Sequence, residues 1–192
     1  MNIIEVKNLS KDYKYKVRNE EKGFLYNLFN EQEKVVKAVN NISFNVEEGE
    51  TVAFIGPNGA GKSTTIKMLT GILYPTKGDI KICGLTPIKD RNKLAFKIGT
   101  VFGQRSQLLP NLPLTESMEM FGAMYDMDKV AIKKRINELS ELFDLKEFIK
   151  QPVRKLSLGQ RMRAEIATSL IHSPNKKVEA REMKIAIIVA LL

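Results

Sequence analysis

The chain has 192 residues, enough for one domain that buries roughly 70% of its unfolded surface. Its 43% hydrophobic and 28% charged residues suit a soluble globular fold, and a single cysteine, Cys83, excludes an intrachain disulfide. A net charge of +9 arises from 31 basic residues interleaved with 22 acidic ones, which reads as a solvated basic surface rather than a block built for polyanions. The N-terminus MNIIEVKNLS is polar from the start, and the longest apolar run, IAIIVALL at 185–192, is far short of the roughly 20 residues that cross a bilayer.

In chain order, residues 2–8 and 41–46 predict the strands of a meander, with NISFNV alternating in polarity. Between them, residues 14–34 form a long connection in which Phe24, Leu25, Leu28 and Phe29 share a face if helical. TVAFI at 51–55 predicts a buried strand feeding a glycine-rich turn. STTIKMLTGIL then sets Ile66, Leu69 and Leu73 at helical spacing, and Pro75 and Gly78 break the pattern. Strands follow at 79–82 and 97–102, and helices near 115–126, 129–143 and 158–171. The alternation predicts an α/β fold with a mostly parallel core sheet, an antiparallel N-terminal β subdomain and a helical insert at about 105–165.

The turn after TVAFI carries the chemistry. Gly56, Pro57, Asn58, Gly59, Ala60, Gly61, Lys62 and Ser63, followed by Thr64, satisfy G-x-x-x-x-G-K-[ST] between a strand pattern and a helix pattern. Glycines let the backbone curl so that its N–H groups face phosphate oxygens; Lys62 reaches the β and γ phosphates, and the Ser63 hydroxyl suits Mg²⁺. The helix opening at Lys62 adds its positive end.

Beginning 95 residues after Lys62, Ser157, Leu158, Gly159 and Gln160 within LSLGQRMRAEIA resemble the LSGGQ signature of ATP-binding cassette (ABC) proteins, with leucine in place of one glycine. Ser157 and Gln160 also have the spacing of a capping box, and Met162, Ile166 and Leu170 predict a core-facing stripe behind it. VFGQRSQLLPNL resembles the family's glutamine loop, which assigns Gln104 to the Mg²⁺ or the attacking water. LSKDY resembles the adenine-stacking loop, which assigns Tyr13 to the base, with Tyr15 as a substitute.

The resemblance runs from about residue 2 to Asn175 and is similar to the export-type, multidrug- and antibiotic-like branch. It implies a P-loop NTPase fold, ATP and Mg²⁺ as ligands, and a place on the cytoplasmic face of the cell membrane against transmembrane subunits. It also implies a head-to-tail pair of nucleotide-binding subunits, in which Ser157, Gly159 and Gln160 act on the partner's ATP.

The sequence departs from the family after LIHSPN. The family continues into an apolar strand closing in Asp-Glu and then to a switch histidine; here the last aspartate is Asp144, and Glu179 and Glu182 precede the apolar run instead of closing it. The only histidine, His172, reads as structural. Hydrolysis at the chain's own loop is therefore expected to be slow. Residues 176–192 form an atypical tail, expected either to fill the place beside the loop-bearing strand with MKIAIIVALL or to be the unselected end of a truncated or frameshifted product. Two alternatives stand beside the export subunit: a non-catalytic nucleotide-binding partner in a heterodimer, and a nucleic-acid-linked cassette ATPase suggested only by the charge.

Overall fold

The computed structural model describes residues 1–17, 32–102, 106–172 and, as backbone, 187–190. Backbone contacts divide the chain into two compact units, Met1–Arg91 and Asn92–Leu192.

The first unit is built on a three-stranded antiparallel sheet. Strand β1, Asn2–Val17, lies between β2, Gln32–Glu47, and β3, Lys77–Ile82. The two long strands are interrupted where Asn8 and Asn41 both take φ of 50°, a left-handed conformation that asparagine tolerates better than most residues. Each orphaned amide finds a hydroxyl across the ladder: Asn8 N–H donates to Ser43 Oγ at 2.8 Å, and Asn41 N–H to Ser10 Oγ at 2.9 Å. Helix α1, Lys62–Leu69, packs on β2 and buries Ile66, Met68 and Leu69. It stops at Thr70, whose Oγ1 donates to the Ile66 carbonyl at 3.0 Å. The expected strands at 2–8 and 41–46 are thus parts of longer ones, and residues 14–17 and 32–34, expected in a connection, belong to the ladder. Phe24, Leu25, Leu28 and Phe29 lie outside the described residues.

Residues 51–57 depart more sharply from expectation, because they form neither strand nor helix. A strand is defined by the ladder it joins, and no described segment pairs with this one. Val52, Phe54 and Ile55 are consequently exposed, Ile55 at 92%.

The short helix α2, Arg91–Ala95, begins at the last residue of the first unit, and strand β4, Gly99–Phe102, follows in the second. Three longer helices follow: α3, Leu114–Met124; α4, Lys129–Leu142; and α5, Leu158–Ser169. Asp128 caps α4 by accepting from the amides of Val130 and Ala131 at 3.0 and 2.9 Å, which fixes the start that the sequence predicts. Leu114, Met118, Ile136, Leu139, Phe148 and Leu170 belong to one buried cluster. Two arginines tie down helix ends. Arg163 donates to the carbonyls of Phe143 and Asp144 beyond α4, while Arg135 donates to the Leu170 carbonyl beyond α5.

The tail contributes β5, Ile187–Ala190, which pairs in parallel with β4, Gly99 opposite Ile187 and Phe102 opposite Ala190. The tail does form a strand, but it joins β4 and not the loop-bearing segment where it was expected. Gly99 admits the end of α5 against β4: a Cβ there would come within 2.8 Å of the Ser169 carbonyl oxygen. Residues 176–183 lie outside the described residues.

His172 closes this unit. Its ring stacks on Tyr125 with centroids 4.0 Å apart and planes 13° from parallel, and Phe96 meets Tyr125 edge-on at 5.4 Å. Neither imidazole nitrogen has a hydrogen-bond partner among the described residues. Burial draws its pKa down to about 4; the nearby Ile98 backbone favours the charged form without a well-formed bond, and the Arg135 charge disfavours it. The unfolded chain therefore binds a proton, from an ordinary histidine pKa near 6.5 downward, that the native state refuses until about pH 4. Stability should fall across that window by at most about 3 kcal/mol on this residue's account. His172→Phe, which keeps the stack, should lose that share of the slope when urea unfolding is measured from pH 7 to 4; identical slopes would refute the assignment.

Candidate nucleotide site

The phosphate loop is built by three glycines in the left-handed or otherwise glycine-favoured region, with φ of 156° at Gly56, 87° at Gly59 and 83° at Gly61. Gly61 is the most constrained. It is the residue before α1, and a Cβ there would collide with the Ala38 carbonyl oxygen and lie 3.1 Å from the Val39 side chain on β2. The loop thus enters its helix over the backbone of β2, at a place where only glycine fits.

No side chain caps α1. Its first intrahelical bond runs from Thr65 N–H to the Gly61 carbonyl at 2.8 Å, so the amides of Lys62, Ser63 and Thr64 precede the ladder and lack partners within it. Three N–H groups at a positive helix end are a ready anion site. Lys62 lies over the same loop, its Nζ donating to the carbonyls of Gly56 at 2.7 Å and Pro57 at 2.8 Å. Those bonds hold the ammonium beside the turn, whose Ala60 N–H donates to the Pro57 carbonyl at 3.2 Å. Asn58 and Ala60 lie on the exposed rim of the turn, while Ser63 and Thr64 are half-buried at the head of the helix. The donors required for a polyphosphate are therefore all present in one short segment.

For Mg²⁺ the fit is partial. Ser63 supplies a hydroxyl beside the loop, but the described residues contain no cluster of three or more His, Cys, Asp or Glu side chains able to hold a metal. Gln104, the other expected contributor, lies outside the described residues.

The signature belongs to the second unit. Ser157 Oγ accepts from Gln160 N–H at 3.2 Å, and Gln160 Oε1 accepts from Ser157 N–H at 2.9 Å, which completes a capping box. Leu158 projects into solvent at 79% exposure, and a Cβ on Gly159 would meet nothing within 4 Å. The end of α5 is accordingly open, with its serine oriented by the cap. The helical stripe behind it differs in detail from expectation. Leu170 is buried, but Ala164, Glu165, Ala167 and Thr168 carry the buried face, while Met162 and Ile166 are only partly covered.

Tyr13 and Tyr15 lie on β1, both exposed, opposite Val36 and Lys34 of β2, and Lys11 Nζ is 5.3 Å from the Tyr13 ring centroid. One site feature escapes a reading by pattern: the carbonyl of Ala38, in a stretch with no motif of its own, dictates Gly61.

Two substitutions test these local arguments. Gly61→Ala should destabilise the protein by at least about 1 kcal/mol, since it adds both a clash and a disfavoured φ, and should weaken ATP binding. Ser157→Ala should cost about 1 kcal/mol in denaturant unfolding through loss of the cap, with Ser157→Asp closer to wild type.

Comparison with known proteins places the chain in a family. The family model described as ABC transporter matches residues 39–176. Across 77% of the chain and 60% of its own length, the ABC transporter ATP-binding protein NatA of Bacillus subtilis is 35% identical. The bacitracin transport ATP-binding protein BcrA of Bacillus licheniformis is likewise 35% identical, over 72% of the chain and 44% of its own length. Among solved structures, cbiO1 from Clostridium perfringens, part of the ABC transporter complex cbiONQ, superposes with a TM-score of 0.70 at 26% identity, covering 90% of this chain and 62% of that one. The ATP-binding cassette MJ0796, in a dimeric post-hydrolysis state bound to ADP and Pi, gives 0.69 at 26% identity, covering 93% and 77%. The chain spans 60% of NatA and less than half of BcrA. With its phosphate loop, its signature and a family match over most of its length, the chain belongs to the ABC transporter family of ATP-binding proteins.

Proposed function

We propose that the chain is the nucleotide-binding part of an export-type ABC transporter, holding MgATP on its phosphate loop and passing the energy of closure to transmembrane subunits. The observation that carries this reading is the convergence of the Lys62 ammonium and the first amides of α1 on one glycine turn. In it, the backbone from Gly56 to Thr64 receives the phosphates, Lys62 exchanges its loop carbonyls for phosphate oxygens, and Ser63 turns its hydroxyl to the metal. Mg²⁺, when bound, neutralises charge on the phosphate oxygens. Tyr13, or Tyr15 in its stead, stacks on the adenine, worth on the order of 1 kcal/mol. Gln104 serves the metal and the attacking water.

In this reading the described helices stay outside the bilayer, since none is long and apolar enough to cross it. The chain sits at the cytoplasmic face of the membrane and pairs head to tail with a second nucleotide-binding subunit. A relative from Ralstonia nicotianae named as a Nod factor export ATP-binding protein, 36% identical over 71% of this chain, supports export as the direction of transport.

Hydrolysis at the chain's own loop is slow. Phosphoryl transfer relies on groups that orient water and metal, and their loss costs orders of magnitude in rate. Among the described residues no cluster of His, Cys, Asp or Glu side chains stands ready to hold a metal, and His172 is buried in a stack on Tyr125. A second reading is favoured by the open signature end: the chain serves as the non-catalytic member of a heterodimer, with Ser157, Gly159 and Gln160 completing a hydrolytic site on a partner's loop.

Titration with a fluorescent ATP analogue and Mg²⁺, with phosphate release recorded on the same samples, tests the proposal. Saturable binding lost in Lys62→Ala, without steady-state phosphate release, is the expected result. Rapid release abolished by Lys62→Ala would overturn the slow-hydrolysis claim, and absence of binding would overturn the nucleotide site itself. For the heterodimer reading, phosphate release restored by a complete ATPase partner should fall at least tenfold with Ser157→Ala; release that ignores Ser157 would refute it.

A further inference from the structure

Beyond the reach of β3, β1 and β2 continue as a two-stranded ribbon. The β1–β3 ladder ends at Ser10, and the last anchor on that side is the amide of Asp12, which donates to Thr76 Oγ1 at 2.9 Å. From Tyr13 to Val17, paired with Val36 back to Gln32, the described residues provide no third strand. Five residues of strand project about 17 Å. A two-stranded ribbon alone is marginal in water, and its composition marks what it suits as an environment.

Directly paired residues share a face, so Tyr13, Tyr15, Val36 and Lys34 lie together, while Lys14 and Val35 lie together on the other. Val35 and Val36 are 51% and 46% exposed, on opposite faces. Residues 11–17 and 32–39 contain five lysines against Asp12 and Glu33, a net charge of +3. One of those acids is already engaged, Glu33 Oε2 lying 3.4 Å from Lys14 Nζ.

The geometry points to this ribbon as a membrane-contact element that rests on the anionic phospholipid headgroups beside the transporter. Tyrosine favours the boundary between polar headgroups and acyl chains. Lysine stems reach along an apolar surface while the ammonium stays with phosphate, and the exposed valines gain from leaving water at that depth. A polyanion such as RNA offers the lysines the same phosphates but gives the valines nothing. Anionic lipid satisfies both halves of the composition, and each lysine near such a surface contributes several-fold to partitioning. This face adjoins the adenine contact proposed for Tyr13, so the lipid contact itself rests on Tyr15, Val35, Val36 and the lysines.

The full chain is tested by co-sedimentation with protein-free vesicles of phosphatidylcholine, alone and with added phosphatidylglycerol, at rising salt. The variants are Lys34→Glu with Lys37→Glu, and Val36→Ser, each checked for folding by circular dichroism and for binding of the fluorescent ATP analogue. Binding that needs phosphatidylglycerol, weakens with salt, drops at least tenfold in the charge-reversed variant and drops measurably in Val36→Ser supports the proposal. Equal binding to both vesicle types would overturn it, as would undiminished binding by folded, ATP-competent variants. Retention on RNA with none on vesicles would overturn it in favour of a nucleic-acid partner. Because ATP binding is read on the same samples, failure at the membrane is distinguishable from failure of the nucleotide site.

Discussion

Everything proposed for nucleotide chemistry depends on one close approach, the passage of Gly61 over the carbonyl of Ala38. A phosphate loop must both curl and be held, since a turn of exposed glycines and asparagine has more conformations to lose than almost any other segment. Here the hold comes from its C-terminal side. Gly61 in a left-handed conformation leads into α1, α1 lays Ile66, Met68 and Leu69 into the first unit's core, and β2 beneath is locked to β1 by a long antiparallel ladder. On the N-terminal side, residues 51–57 contribute no ladder at all. The loop is therefore supported asymmetrically, by packing under its helix rather than by pairing of the segment that enters it.

The same logic governs the second unit, where helix ends are secured by side chains rather than left to water. Asp128 opens α4, Arg163 closes it, the Ser157–Gln160 box opens α5 and Arg135 closes that. The capping box sets the helix start that leaves Ser157, Leu158 and Gly159 exposed. Leu158, where the family signature has glycine, adds bulk to that exposed face.

How far the sequence foretold this follows from the range of the forces involved. Caps and helix periodicity are local, which is why the starts of α4 and α5 and the loop's own motif are readable from residues a few positions apart. Strand pairing is not local. TVAFI has every intrinsic mark of a strand yet forms none, because no propensity substitutes for a neighbour to bond with. For the same reason the apolar tail was legible as a strand, while its partner β4 was not. Lys14 and Tyr15 looked like the mouth of a connection and instead continue β1. Gly61 was readable as part of a motif, but the reason it must be glycine lies in Ala38, remote in sequence.

The central claim is that this loop, held by its helix, still takes a nucleotide. Hydrogen exchange read amide by amide across residues 56–65, with and without MgATP, tests it most directly. The account predicts that the exchange of Gly59, Ala60, Gly61, Lys62, Ser63 and Thr64 slows on adding MgATP in the wild-type chain and does not in Lys62→Ala. Unchanged exchange in the wild type at saturating nucleotide would contradict it.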